Sequence, residues 1–171
     1  MVFPRPGFND EASKNDKLRL TATQWAQPAI GATSLSMLAL LNDCGIHTEL
    51  LGGHSFGEVV ALHAAGVFSE TDMLKVARRR GELMAQTATT PGAMTALSLT
   101  IEQVRELIAS CASSVVVANH NAPQQVVVSG TKQAIEEFET QLNKQSVAFK
   151  RLPVASGFHS QVVASACEPF A

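Results

Sequence analysis

The sequence predicts an α/β fold in two parts, and three observations carry that prediction. A short apolar run at residues 48–51 closes on Gly52 and Gly53, and a helical pattern opens directly after Ser55. From Gly92 onward the pattern changes to a compact alternation of strand and helix signals. With 171 residues, 46% of them hydrophobic and 16% charged, the chain can bury most of its apolar surface in a core.

The elements follow in order. A helical pattern runs from Thr21 through Ala26, Ile30, Leu35, Leu38 and Leu41, with Pro28 in its first part, and should end between Asn42 and Gly45. Residues 48–51 read as a buried strand ending at a sharp turn. The next helix carries Val59, Val60 and Leu62 and is stopped by Gly66, and another spans 70–88 with Met73, Leu74, Val76, Ala77 and Leu83 on its apolar side. Beyond Pro91 and Gly92, the spacing predicts a strand at 93–99, a helix at 101–111 and a strand at 115–118. A loop at 120–124, a strand at 125–129, a helix at 131–145 and a strand at 147–153 complete the series. This is the β-α-β-β-α-β order of ferredoxin-like units. The expected organisation is residues 1–91 as part of an α/β-hydrolase-like large subdomain with parallel strands, 92–154 as an inserted ferredoxin-like small subdomain, and 155–171 as the return to the large one.

Charge and cysteine usage exclude several classes. A formal net charge of −2 offers no basic excess for the phosphates of a nucleic acid. The basic run Arg78-Arg79-Arg80 lies in a helical pattern, where such runs are commonly a solvated face. Cys44, Cys111 and Cys167 lack the CxxC spacing of a zinc or redox site, so no metal centre is predicted, and they read as small buried hydrophobes in a reducing compartment. No stretch has the run of about 18 apolar residues that spans a bilayer, and the beginning of the chain has no apolar leader core. A cytoplasmic location with no membrane partner is the expectation.

Gly53-His54-Ser55-Phe56-Gly57 fits GxSxG, the elbow that presents a serine hydroxyl above a sheet edge, with both glycines easing a strained turn. With Ser55 as nucleophile, the Phe56 N–H at the positive end of the next helix is one oxyanion donor. Serine needs a base. His54 abuts the serine and should point away from it, His63 belongs to the following helix and His47 to the loop before the strand, so these three read as structural or exposed. His120 sits in a turn-rich loop and stays a candidate. His159 follows a predicted strand in the loop 155–160, a common location for catalytic groups.

Taken together, the motifs resemble the malonyl-CoA:acyl-carrier-protein transacylases and the acyltransferase domains of polyketide and polyunsaturated fatty acid synthases. The matching stretches run in order along the chain: Ala26-Gln27-Pro28-Ala29, GHSFGE from Gly53 to Glu58, Arg80-Gly81 with Leu83-Met84, and Gly92-Ala93-Met94. Further matches are Ala118-Asn119-His120-Asn121-Ala122-Pro123, Val128-Ser129-Gly130, Leu152-Pro153-Val154 and Phe158-His159-Ser160.

The resemblance implies that Ser55 forms an acyl-serine ester and that His159 is its base and then the acid for the departing coenzyme A thiol. No bound cofactor is implied. Malonyl-CoA is the substrate, and the acceptor is the phosphopantetheine thiol of an acyl carrier protein, reached by ping-pong transfer. Arg80 matches the family's carboxylate-holding arginine, a role that suits a planar guanidinium. Gln27 and Asn121 match positions that line the acyl pocket, although each also reads as a polar cap or turn residue. His54 is implied as site-lining. Phe158, directly before the histidine, accompanies malonyl choice in such domains, whereas Ser156-Gly157 departs from the usual His-Ala.

The family's domain is expected to extend past both ends of this segment. An earlier Gly-Gln-Gly turn would supply a second oxyanion donor, and later elements would supply the group that orients the histidine. The segment is therefore expected to be an internal piece of a larger enzyme, with other domains of a multidomain synthase as partners. Two other functions compete: a serine hydrolase or thioesterase on the same elbow, and a non-catalytic carrier-docking module.

Overall fold

The computed structural model describes residues 10–87, 90–111, 114–154 and 156–171. It divides into a first compact unit ending at Ala85 and a second running from Gln86 to Pro169. No helix among the described residues is long and apolar enough to cross a membrane.

The first unit is helical: α1 (Asp10–Thr21), α2 (Thr23–Asp43), α3 (Gly57–Ala64) and α4 (Glu70–Thr87). Sequence reading missed α1, which buries no residue and so shows no apolar stripe. Helices α2 and α3 end in Schellman closures. Gly45 and Gly66 take φ values of 76° and 80°, and the following N–H groups of Ile46 and Val67 reach back to Leu41 and Leu62. Phe56, Met73 and Ala77 form the buried centre, with Leu35, Val59, Val60, Phe68 and Leu74 packed around them.

Residues 48–51, expected to be a buried strand, are not one: they have no ladder partner and are exposed, Leu50 by 91%. A strand needs a neighbour for its N–H and C=O groups, and the described residues of this unit hold no other strand. The expected burial of the cysteines also fails. Cys44 and Cys167 are exposed and Cys111 half-buried, because each stands at a helix end where the chain turns toward solvent.

The second unit has the predicted element order: β1 (Gly92–Leu97), α5 (Ile101–Ser110), β2 (Val116–Ala122), β3 (Gln125–Thr131), α6 (Lys132–Lys144) and β4 (Phe149–Arg151). A 3-10 turn (Gln161–Ala166) and α7 (Cys167–Phe170) follow. The sheet is antiparallel with order β2-β3-β1-β4. Strand alternation sends Ala93, Leu97, Val126 and Val128 to one face, where they meet Val104 of α5 and Ala134, Ile135, Phe138 and Leu142 of α6. Thr100 opens α5 with a reciprocal capping box to Gln103, and Thr131 caps α6. On the other face Met94, Val127 and Ser129 are buried, and the 3-10 turn lies against β3.

Several boundaries differ from expectation: β1 ends at Leu97 and not at 99, β3 runs past 129 to Thr131, and β4 ends at Arg151 and not at 153. Strand β4 starts at Phe149 and not at 147, because Ser146 (φ 56°) and Val147 close the end of α6, with the Val147 N–H on the Leu142 carbonyl at 2.9 Å. The expected loop at 120–124 is mostly strand. β2 continues to Ala122, with register irregularities between Val117 and Asn119 and between His120 and Ala122. As a sheet edge, β2 tolerates polar residues and bulges that a central strand would not.

Glu139 ties α6 to the sheet. It accepts from Arg151 Nε and Nη2 at 2.8 and 2.6 Å, and the buried Thr95 hydroxyl donates to the same carboxylate. Burial raises its pKa, but the hydrogen bonds from Arg151 and Thr95 and the Arg151 charge outweigh this and leave it lowered. Glu139→Gln should lower unfolding stability by about 1–2 kcal/mol at neutral pH, allowing for solvent screening at Arg151. A lowered folded-state pKa means this advantage is complete above the unfolded glutamate value of about 4.3 and is lost as pH falls through the folded value. Urea melts of both proteins across that range should converge at low pH; a gap that widens on acidification would contradict the assignment.

Candidate active site

The chain reaches Ser55 without a strand and turns sharply there. Ser55 has φ 55°, a left-handed conformation that costs a non-glycine residue about 1–3 kcal/mol and persists only when its surroundings enforce it. Enforcement comes from successive backbone bonds, Gly57 N–H to His54 O, Glu58 N–H to Ser55 O and Val59 N–H to Phe56 O, at 2.9, 3.1 and 3.0 Å. Phe56 adds a side chain buried in the unit's core, against which a carbon added at Gly31 of α2 would come within 3.3 Å. The Phe56 N–H takes no backbone acceptor among the described residues, which suits an oxyanion donor.

The two motif glycines are not equivalent. A side-chain carbon at Gly53 would lie 2.1 Å from the Gly57 carbonyl carbon, whereas one at Gly57 would meet nothing within 4 Å. The elbow thus requires Gly53 for close backbone approach, whereas nothing among the described residues crowds Gly57; neither glycine takes a positive φ, so it is the turn at Ser55 itself that carries the strained angle.

Helices α2 and α4 bring the next pair together. Pro28 has no N–H, so the Gln24 carbonyl one turn earlier loses its intrahelical partner. Arg78 of α4 donates to that carbonyl at 3.2 Å, and its guanidinium carbon lies 4.0 Å over the Trp25 ring. Gly81 permits the approach, since a side-chain carbon there would be 2.5 Å from the Thr23 oxygen. One turn along, Arg80 Nη1 donates to Gln27 Oε1 at 2.9 Å. Gln27 is buried, and its Nε2 donates to Met84 Sδ at 3.6 Å. Burial lowers the Arg80 pKa, and the negative charge of Glu58 in the first turn of α3 raises it in part. Met84 and Glu58 belong to the motifs quoted above, yet no role for either was read from the sequence.

Ser55, His54, Phe56, Gln27 and Arg80 thus belong to the first unit, and Asn121, Phe158 and His159 to the second. His54 and His47 are exposed, and His63 Nδ1 bonds the Phe68 carbonyl at 2.9 Å, a structural role as expected. His120 and Asn121 are exposed on the irregular edge of β2, not in a turn, beside a groove of about 460 Å³ lined also by Thr100, Ile101 and Pro123. His159 is exposed and, like Ser55, left-handed, with φ 59°. Phe158 is half-buried beside it.

Alanine at Gly53 should destabilise the first unit by about 1–3 kcal/mol through backbone overpacking, whereas Gly57→Ala should shift stability by less than about 0.5 kcal/mol. Denaturant midpoints of the two variants measure this contrast, and equal losses would show that the elbow packs otherwise. Gly81→Ala should also cost about 1–3 kcal/mol, and by parting Arg78 from the Trp25 ring it should shift the Trp25 fluorescence emission relative to the parent protein.

Comparison with known proteins places the chain in a family. The acyl transferase domain family matches residues 10–171. The malonyl CoA-acyl carrier protein transacylase of Bacillus subtilis is 35% identical over 162 residues, covering 91% of this chain and 51% of that protein. The spectinabilin polyketide synthase system protein NorB of Streptomyces orinoci is 38% identical over 151 residues, 88% of this chain and 7% of that protein. Among solved structures, malonyl CoA-acyl carrier protein transacylase from Clostridium perfringens superposes with a TM-score of 0.82 at 32% identity, over 91% of this chain and 51% of that one. The chain spans about half the length of the curated transacylases it matches. Its fold is the α/β fold of these acyltransferases, and the chain belongs to the acyl transferase domain family.

Proposed function

We propose that this chain carries the reaction centre of a transferase that moves a malonyl group from coenzyme A to an acyl carrier protein. The observation that carries the reading is Arg80: a half-buried guanidinium fixed through one N–H by a neutral amide, its charge offset only in part by Glu58, so that it can still take an anion. A carboxylate at the far end of the acyl group fits that need, and a plain hydrolase of neutral acyl chains has no use for it.

In this reading His159 takes the Ser55 proton as Oγ attacks the thioester carbonyl. The Phe56 N–H stabilises the oxyanion, and collapse expels the coenzyme A sulfur, which receives the proton from His159. The terminal thiol of a carrier protein's phosphopantetheine arm then attacks the ester, His159 again moving the proton, and Ser55 is regenerated. Gln27 orients Arg80. Asn121 and His54 line the approach, and Phe158 narrows the pocket beside C2, where rejecting one methyl group contributes about 1–3 kcal/mol.

The domain reading belongs to the same proposal. Residues 1–91 form part of an α/β-hydrolase-like large subdomain, 92–154 the ferredoxin-like small subdomain and 155–171 the return. The antiparallel order β2-β3-β1-β4 supports the second of these. Other domains of a synthase are the expected neighbours, no cofactor is bound, and the location is cytoplasmic.

Intact-mass spectrometry after exposure to malonyl-CoA should reveal a malonyl adduct that Ser55→Ala abolishes. Arg80→Ala should slow malonylation roughly ten- to a hundredfold, as expected for a lost charged hydrogen bond, without slowing transfer from acetyl-CoA. An adduct that persists in Ser55→Ala, or an equal loss with both thioesters, would refute the proposal.

A further inference from the structure

We propose that Ser160 is a positioning residue for His159, acting as a hydroxyl clamp that closes the histidine loop against the sheet; this rests on reading His159 as the base. Behind the loop, Val162, Val163 and Ala166 of the 3-10 turn are buried, and that turn lies against β3, so the chain after Ser160 is anchored. Ahead of it, Gly157 is pressed onto the sheet backbone. A side-chain carbon at Gly92 of β1 would lie 2.0 Å from the Gly157 nitrogen, and one at Gly157 would lie 2.5 Å from the Gly130 oxygen of β3. Gly92 and Gly157 therefore bring backbone onto backbone with no side chain between, Gly157 against the Gly130 carbonyl.

Between these fixed points stand only Phe158 and His159. Ser160 Oγ spans them, donating to the Gly157 carbonyl at 2.6 Å and accepting from the Val162 N–H at 3.3 Å. One hydroxyl thus bonds both ends of the reversal that holds His159 at φ 59°. A left-handed histidine is not a conformation the chain takes by preference, so releasing the clamp lets residue 159 relax to an ordinary backbone angle and re-aims its imidazole. Alanine keeps the volume and loses both bonds; threonine keeps both.

The test compares Ser160→Ala, Ser160→Thr and His159→Ala. Amide exchange at residues 157–160 should accelerate about tenfold in Ser160→Ala and return to the parent rate in Ser160→Thr. In the same protein, Ser160→Ala should lower kcat for malonyl transfer roughly ten- to a hundredfold with KM for malonyl-CoA unchanged, and Ser160→Thr should restore it. Unchanged exchange in Ser160→Ala overturns the clamp, and faster exchange with parental kcat overturns the positioning role. Parental turnover in His159→Ala instead refutes the reading of the base, while the exchange result still decides the clamp.

Discussion

The first unit depends on the closeness of α2 and α4 at Gly81. Nothing larger than hydrogen fits there, because the Thr23 carbonyl and the Gln24 Cα already occupy the space. Pro28 adds a second condition by freeing the Gln24 carbonyl inside α2, and an unpaired carbonyl on a packed helix face is costly unless another group donates to it. Arg78 is that donor, and its ring contact with Trp25 holds it over the site. With the helices docked by Gly81 and Arg78, the adjacent turn has little freedom, and Arg80 and Gln27 meet.

A related economy runs through each of the two units taken by itself. Ser55 and His159 are each held in left-handed backbone, and each is flanked by a glycine whose missing side chain lets the chain press against other backbone: Gly53 against the start of α3, Gly157 against β3. Strain at one residue is stable only if its neighbours are over-determined. Here over-determination comes from the first turn of α3 and the buried Phe56 in one case, and from the sheet and the buried 3-10 turn in the other. Loops alone would not supply it, and both residues stand two positions before a helical element, α3 at Gly57 and the 3-10 turn at Gln161.

Much of this was legible in residue order, and what was not has identifiable causes. The β-α-β-β-α-β series was readable because valine-rich alternation, the Thr100 and Thr131 caps and the apolar face of α6 all act locally. Residues 48–51 carry strand-like signals, but pairing is a property of a partner, and none stands among the described residues of that unit. The stretch from His120 to Ala122 looked like a loop because Asn, His and Pro are turn-formers; at a sheet edge the same residues are admissible in a bulged strand. GxSxG suggested two equivalent glycines, and only three-dimensional distances separate Gly53 from Gly57. The roles of Glu58 and Met84 were invisible for a similar reason, since each acts on a residue far along the chain.

The arginines show most clearly how chemistry separates residues that sequence leaves alike. Arg151 faces the Glu139 carboxylate through two hydrogen bonds, so its charge is matched and its work is structural. Arg78 pairs with Glu82, a backbone carbonyl and an aromatic face, and is likewise committed. Arg80 is drawn partly out of water and anchored by Gln27, which accepts a hydrogen bond but brings no charge. A glutamate in place of Gln27 would orient the guanidinium equally well, yet it would neutralise the cation and compete with any incoming carboxylate. Full burial would leave the cation too costly to keep, and full exposure would let water screen what it attracts. Half-burial beside a neutral amide, with Glu58 acting on it only through its charge, distinguishes Arg80 from Arg78, which is paired with Glu82, and from Arg79, which is exposed.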